Sequence, residues 1–211
     1  MKRMSILFFL FACMIPRLFA QDMATVFVSI PDSFIPQLES EWRKDLVDLY
    51  TSGKEAKLQN MMGGESELKK LTPDFISLRS TERTTIEMKL LPLINNTHII
   101  CMITTVEGPV ADSRVVFYTT EWERLETSGL LSPVTGEWFV REGVDLTQED
   151  VYYALAHLDM DLIRYELHPE DQTLSAYYMT PLYLSKEDRE KVLPYLKEEP
   201  KVYTWEKIQF K

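Results

Sequence analysis

The feature that most constrains the fold is a pair of adjoining strand patterns near the middle of the chain. Residues 85–91 alternate between apolar and polar side chains, and residues 97–106 are apolar on both faces, as a central strand would be. In the first pattern, one face of the strand holds Ile86, Met88 and Leu90, and the opposite face holds Thr85, Glu87 and Lys89. Asn95-Asn96 favours a tight turn between the patterns because asparagine tolerates positive φ. These segments predict an antiparallel hairpin.

Similar patterns on both sides extend this hairpin into an antiparallel meander. The remaining strands are predicted over residues 25–29, 74–80, 113–120, 162–167, 174–179 and 201–210. The hairpin over residues 162–179 turns at His168-Pro169-Glu170-Asp171, where proline suits the second turn position. The meander predicts a sheet in which neighbours along the chain are neighbours in space.

Three helices are predicted beside the strands. The first spans residues 36–52, has Pro36 at its first position, carries Arg43 on a solvent-exposed face and ends at Gly53. Its apolar face holds Leu38, Trp42, Leu46, Leu49 and Tyr50 at helical spacing.

The other two helices lie in the second half of the chain. One spans residues 148–157, with Thr147 as its N-cap and acidic residues near its positive end. The other follows Ser185, which has Asp188 at the capping-box spacing, and runs to about Leu196.

The fold class that follows is α+β, with an antiparallel β-meander sheet and a few packed helices. Residues 21–211 are interpreted as one domain. If this domain has two parts, they are expected to meet in the irregular stretch over residues 121–146. Residues 74–93 and 161–182 share a strand, a polar turn, a strand and a Pro-Leu exit. This similarity indicates either two related α/β halves or a chance likeness of hairpins that share turn chemistry.

Residues 1–20 have the layout of a secretory signal peptide. Lys2 and Arg3 form a basic start, residues 5–15 form an apolar core, and Ala20 ends a predicted cleavage site. The core is shorter than the roughly 20 residues of a membrane-spanning helix. Cleavage is therefore expected to leave no transmembrane segment. Lipidation at Cys13 is the alternative, although the residues after Cys13 stay apolar and do not form a polar tether.

The mature chain is predicted to be acidic. The sequence has 33 acidic and 23 basic residues, and three of the basic ones lie in residues 1–20, so the remaining 191 residues carry a net charge of −13. Such a charge disfavours nucleic acid as a partner. Solubility is a sufficient explanation for it.

No residue cluster predicts a catalytic, cofactor-binding or metal site. His98, His157 and His168 each lie at a predicted turn or helix end. The arrangement closest to a metal site is His157 with Asp159 and Asp161, but the segment lacks the further oxygen ligands and the glycine of a calcium loop. Neither a metal nor a cofactor is therefore expected.

Cys101 is the single cysteine after cleavage, so no internal disulfide is expected. It lies in the apolar run over residues 99–103, which predicts a buried and inert thiol in a central strand. No electropositive neighbour that would make it a nucleophile is evident.

Carboxylate pairs and aromatic clusters are the remaining candidates. Glu65/Glu67 and Glu121/Glu123, which flank Trp122, are the pairs considered for glycoside hydrolysis, but an acid-rich chain produces such pairs by chance. The aromatic residues considered are Trp42, Trp122, Trp138, Trp205, Tyr152-Tyr153 and Tyr177-Tyr178. On a strand, one tyrosine of each pair would be exposed and could contact a sugar or a protein.

Several segments together resemble a known family. They are residues 31–33 (PDS), 43–50 (RKDLVDLY), 71–74 (LTPD), 88–92 (MKLLP) and 116–122 (VFYTTEW). Their order and spacing resemble a family of uncharacterised secreted proteins of Bacteroidales bacteria, domain of unknown function 3256. The resemblance covers nearly the whole mature chain and implies an envelope or secreted location in a Gram-negative cell. It implies no catalytic or binding residue.

Two functions are consistent with this sequence. The first is a non-enzymatic periplasmic, outer-membrane-associated or extracellular protein that binds a partner protein or a glycan. The second is a hydrolase acting on an extracellular polymer. A deep cleft with converging polar groups would favour the hydrolase, and an exposed patch rich in aromatic residues would favour the binding protein.

The first testable expectation concerns processing. We expect the mature protein to begin at Gln21 or within two residues of it, because Ala20 ends the predicted cleavage site. The intact mass of the protein purified from its native cell measures this directly. A mature protein that begins with an acylated Cys13 would contradict the expectation.

Overall fold

The computed structural model describes residues 22–211, so the predicted signal peptide and Cys13 lie outside the described residues. Two antiparallel sheets and a few short helices form this part of the chain. The predicted α+β class with an antiparallel meander is confirmed. The interpretation of residues 21–211 as one domain, its division near 121–146 and the duplication all stay predictions.

The first sheet has six strands in the order β1-β2-β3-β4-β5-β6. They are β1 (Lys57–Gln59), β2 (Glu65–Leu71), β3 (Phe75–Thr81), β4 (Thr84–Pro92), β5 (His98–Glu107) and β6 (Ala111–Thr119). Each strand pairs with the next along the chain, as the meander predicts for β3 to β6, whereas β1 and β2 lie outside the predicted strands. The central hairpin pairs β4 with β5 in register from Thr84↔Val106 to Pro92↔His98. Asn96 has the positive φ of 61° expected at its turn.

The second sheet has four strands in the order β10-β9-β8-β7. They are β7 (Ile163–Leu167), β8 (Thr173–Tyr178), β9 (Lys201–Glu206) and β10 (Gln209–Phe210). The predicted hairpin over residues 162–179 is confirmed as β7 and β8. The closing strand predicted over residues 201–210 is instead a hairpin of β9 and β10, because Lys207 adopts a positive φ of 60° and reverses the chain.

Helices precede the first sheet, connect the two sheets, and connect β8 to β9 within the second sheet. They are α1 (Met23–Val28), α2 (Ser40–Thr51), α3 (Glu149–Leu155), α4 (Thr180–Tyr183) and α5 (Lys186–Val192). The predicted strand over residues 25–29 is wrong, because that segment belongs to α1. Asp22 caps α1 by accepting a hydrogen bond from the Thr25 backbone N–H at 2.8 Å, and its apolar residues pack at helical spacing into the core. Tertiary burial here overrides the strand preference of β-branched residues.

The predictions for α2 are wrong at its start and right at its end. The helix begins at Ser40, so Pro36 does not occupy the first helical position. Arg43 is fully buried, not exposed, because its guanidinium donates to the carbonyls of Val28, Ile30 and Leu38 in the preceding turns. Gly53 ends the helix with a φ of +69°, as predicted.

Of the caps predicted for the two later helices, that of α3 is wrong and that of α5 is confirmed. The N-cap of α3 is Gln148, not Thr147, because Asp145 accepts hydrogen bonds from both the backbone and the hydroxyl of Thr147. The Ser185 cap of α5 is confirmed, and its hydroxyl accepts from the Asp188 N–H at 3.1 Å.

Each face of the first sheet covers a hydrophobic core. The first core lies between this sheet and the two N-terminal helices and includes Phe27, Leu46, Leu78, Met88 and Ile100. The second core lies between the two sheets and includes Cys101, Phe117, Tyr165, Leu174 and Trp205. The predicted burial of Cys101 in a central strand is confirmed, and burial raises the pKa of its thiol.

Side chains of the first sheet satisfy the free edge of β7. The backbone N–H groups of Ile163, Tyr165 and Leu167 point away from β8, and each donates a hydrogen bond 3.1 Å long to a side chain of the first sheet. The acceptors, in the same order, are Asp112 Oδ1, Ser113 Oγ and Glu87 Oε2. We call this set of three hydrogen bonds the seam. It fixes the second sheet on the first in a single register.

Lys89 adds a charged contact beside the seam. Its side chain is 1% exposed, and Nζ donates to the carbonyls of His168 at 3.1 Å and Pro169 at 2.9 Å. Nζ also lies 3.1 Å from Asp74 Oδ2. The polar face predicted for residues 85–91 is therefore covered by the second sheet and its β7–β8 turn.

The seam predicts a specific pH dependence of stability. Burial, with a smaller contribution from Glu166, raises the pKa of Glu87 from its ordinary 4.5 to about 7. Between these values the folded protein keeps a proton that the unfolded chain has released, so stability falls as pH rises from 4.5 to 7. We expect the free energy of unfolding of Glu87→Gln, taken relative to that of the wild type, to increase by about 3 kcal/mol between pH 4.5 and pH 8.

Urea unfolding at a series of pH values measures this difference. Glutamine keeps an oxygen that can accept from Leu167, so the variant removes the titration and not the hydrogen bond. The matched control is Glu82→Gln, which makes the same change at an exposed position. The expectation would be contradicted if the stability difference between Glu87→Gln and the wild type changed with pH no more than the difference between Glu82→Gln and the wild type.

Candidate binding groove

A groove of about 590 Å³ lies between α3 and the chain segment that precedes it. The 3₁₀ turn Gly136–Phe139 begins along it, α3 contributes Tyr152 and Leu155, and the sheet contributes Tyr178 from the end of β8. Asp161, two residues before β7, completes a polar end beside Tyr178. Its volume is within the range of pockets that hold small ligands or a few side chains.

The polar end depends on a close approach of Gly136. The Gly136 backbone N–H donates to Asp161 Oδ1 at 2.8 Å. A Cβ at this position would lie 2.6 Å from Tyr178 Oη and 2.8 Å from Asp161 Oδ1, closer than real side chains approach. Glycine is therefore needed to bring the carboxylate and the phenol together.

The Tyr178 side chain is held in place and stays protonated. Its ring stacks on Phe139 with centroids 5.1 Å apart and an angle of 10° between the planes. Burial raises the pKa of Tyr178, and the negative charges of Asp161 and Asp159 raise it further. The hydroxyl therefore keeps its proton and can donate a hydrogen bond.

The segment that carries Asp161 is also fixed. Thr180 Oγ1 accepts from the Leu162 N–H at 3.0 Å and donates to the Met160 carbonyl at 2.9 Å. These two hydrogen bonds bracket Asp161 in the chain. The carboxylate position is therefore set by backbone contacts on both sides.

The other end of the groove is apolar and open to solvent. Leu146 is 58% exposed and Tyr152 is 64% exposed. Tyr153 is also exposed, and its ring centroid lies 5.7 Å from that of Tyr152. The prediction that only one tyrosine of this pair is exposed on a strand is wrong, because both lie on α3. Tyr177 and Tyr178 do lie on a strand, and both are half-buried.

The metal candidate from the sequence does not assemble. His157 Nε2 lies 3.8 Å from Asp188 Oδ1 on α5, whereas Asp161 turns toward Gly136. Across residues 22–211, no group of three or more His, Cys, Asp or Glu side chains is arranged to hold a metal ion. Asp161 therefore belongs to the groove and not to a cluster with His157.

The other histidines and the carboxylate pairs lie away from the groove. His168 Nε2 is 2.8 Å from Ser175 Oγ, and His98 opens β5. Glu65 and Glu67 form ion pairs with Arg79 at 3.1 and 2.7 Å.

The tryptophans contribute to packing. Trp122, between Glu121 and Glu123, is buried, and its indole N–H donates to Ser29 Oγ at 3.2 Å, so no exposed platform separates that pair. Trp205 is buried and donates to the Pro92 carbonyl at 2.9 Å. Trp42 and Trp138 are half-buried beside the two cores.

None of the helices between residues 22 and 211 combines the length and apolar character needed to cross a bilayer.

Comparison with protein families decides the classification of the chain. The family model described as a protein of unknown function, DUF3256, matches residues 15–210. The chain belongs to the DUF3256 family. The resemblance inferred from the five sequence segments is thereby confirmed. The comparison with curated proteins gave no match.

The fold of this DUF3256 chain is similar to that of a protein whose structure has been solved. It is a domain of an uncharacterized protein from Porphyromonas gingivalis W83, a Bacteroidales species, with 30% sequence identity and a TM-score of 0.80. The similarity covers 88% of this chain and 96% of that one. The two chains therefore share the same overall fold.

A substitution at Gly136 tests the geometry of the groove in this DUF3256 protein. We expect Gly136→Ala to lower the free energy of unfolding by about 1–3 kcal/mol, because its Cβ would overlap the Tyr178 hydroxyl and the Asp161 carboxylate. The matched control is Gly129→Ala, whose Cβ would meet no atom within 4 Å. Chemical denaturation of both variants measures the difference. Equal stability of the two variants would show that the polar end is looser than described.

Proposed function

We propose that this protein is an exported, non-enzymatic component of the cell envelope that binds a partner, a protein or a glycan, in the groove beside α3. The observation that carries the proposal is the pairing of exposed Leu146 and Tyr152 with a fixed polar end at Asp161 and Tyr178. Apolar side chains exposed beside oriented polar groups are typical of binding surfaces. The signal-peptide pattern of residues 1–20 supports the exported location.

Hydrolysis of an extracellular polymer is the competing function, and the groove supports it less. A hydrolase needs a general base or nucleophile with a second group placed to act on the leaving atom. Asp161 already accepts a hydrogen bond from Gly136, and the second carboxylate that lines the groove is the exposed Glu137. Binding requires only the surface that the groove presents.

Site-specific photocrosslinking in the native cell tests the proposed function. A photoreactive amino acid replaces Tyr152 at the groove or, as the matched control, Ile94, which is 74% exposed on the β4–β5 turn. We expect a discrete adduct from position 152 and none from position 94. Digestion of that adduct with protease or with glycosidases then identifies a protein or a glycan partner.

Two results would contradict the proposal. The first is the absence of an adduct at position 152, and the second is the same adduct at both positions, because neither would assign the partner to the groove. Turnover of an envelope polymer by the purified protein, abolished by Asp161→Asn, would favour the hydrolase instead.

A further inference from the structure

The chain segment that provides most of the residues lining the groove is strongly acidic. Residues 137–161 contain seven carboxylates and one arginine. The carboxylates are Glu137, Glu142, Asp145, Glu149, Asp150, Asp159 and Asp161. Among the described residues, none of the seven lies within 4.0 Å of a lysine, arginine or histidine nitrogen.

The single arginine of this stretch is directed elsewhere. Arg141 Nε donates to the Leu196 carbonyl at 2.6 Å, and its guanidinium lies 3.9 Å from Glu198. No lysine or arginine side chain lines the groove. Glu137 and Asp161, the two carboxylates that line the groove, therefore form no ion pair within the described part of the chain.

Carboxylates on the first sheet show the contrast. Glu65 lies within 3.1 Å of both Lys57 and Arg79, and Glu67 lies within 2.7 Å of both Lys69 and Arg79. That surface neutralises its own acidic residues. The carboxylates that line the groove have no such ion pairs, so a cation from a binding partner would be attracted to them.

We propose that the groove binds a polypeptide segment in which lysine or arginine side chains lie beside aliphatic or aromatic ones. The apolar side chains would contact Leu146, Tyr152 and Leu155, and a cationic side chain would reach Asp161. Asp161 Oδ1 is held by Gly136, and Oδ2 has no hydrogen-bond partner within residues 22–211. The Tyr178 hydroxyl can donate to a peptide carbonyl.

A polypeptide fits these observations better than a glycan does. A neutral sugar can use Glu137 and Asp161 as hydrogen-bond acceptors, but it gains no charge–charge attraction from them. An acidic glycan would be repelled. Basic and apolar side chains on one strand or helix use both the charged and the apolar ends of the groove. This inference rests on the proposed binding function and specifies its partner chemistry.

The experiment uses a displayed library of random octapeptides, selected on the full mature protein. We expect enriched peptides to combine lysine or arginine with leucine, isoleucine or an aromatic residue. An enriched peptide, labelled with a fluorophore, then reports its affinity through fluorescence anisotropy. Its affinity is expected to fall as NaCl rises from 50 to 500 mM, because salt screens exposed charges.

Three variants separate a groove site from general attraction to an acidic protein. Asp161→Asn keeps the oxygen that accepts from Gly136 and removes the charge, and we expect it to weaken binding about tenfold, the effect of losing one charge-assisted contact. Tyr152→Ala is expected to weaken binding through the apolar end. Glu82→Gln removes one exposed charge outside the groove and is expected to leave affinity within about twofold.

Several outcomes would overturn the inference. They are enrichment of peptides without basic residues, equal effects of Asp161→Asn and Glu82→Gln, or tighter binding of a neutral oligosaccharide at the groove. If one of these occurs while position 152 still gives its specific crosslink, the partner chemistry is wrong and the proposed function stands. If the crosslink is also absent, the proposed function fails as well.

Discussion

The interaction on which the rest of the structure depends is the seam, in which three side chains of the first sheet accept hydrogen bonds from the free edge of β7. An unpaired strand edge invites pairing with another chain, and side chains that satisfy its N–H groups prevent this. The seam also positions the groove. Asp161 lies two residues before β7, and Tyr178 pairs with Ile163 across the β7–β8 hairpin, so both follow the placement of β7.

Polar contacts give this interface a specificity that its apolar core lacks. Hydrophobic packing between two sheets tolerates small changes of angle and register, because the attraction is non-directional. Three hydrogen bonds to alternate residues of one strand, in contrast, are lost when the angle or the register of the sheets changes. Burial of the Glu87 carboxyl and of the Lys89 ammonium group costs solvation, which the bonds to Leu167, His168 and Pro169 offset.

Much of the fold follows from local patterns, whereas the groove does not. The β4–β5 hairpin could be predicted because alternation, an Asn-Asn turn and a two-faced apolar strand all agree. Alternation placed Glu87 and Lys89 on one face but could not show that a second sheet would cover that face. Arg43 was misjudged because its acceptors are carbonyls of α1 and of the segment between α1 and α2. The polar end of the groove joins Gly136 to residues 25 and 42 positions away, a separation that leaves no periodic signal.

The buried charge beside the seam is paired within the chain, whereas the exposed carboxylates of the groove are not, and this contrast supports the proposed function. At the junction of the sheets, Lys89 is matched by Asp74 and by two carbonyls, so the charge serves the fold. In the segment that provides most of the groove lining, seven carboxylates form no ion pair within the described residues, so their charges do not serve the fold in this way. Departures from local consistency of this kind are expected where function requires them. A bound cationic segment would be attracted to these carboxylates, and affinity would then depend strongly on salt, as an interaction between exposed charges must.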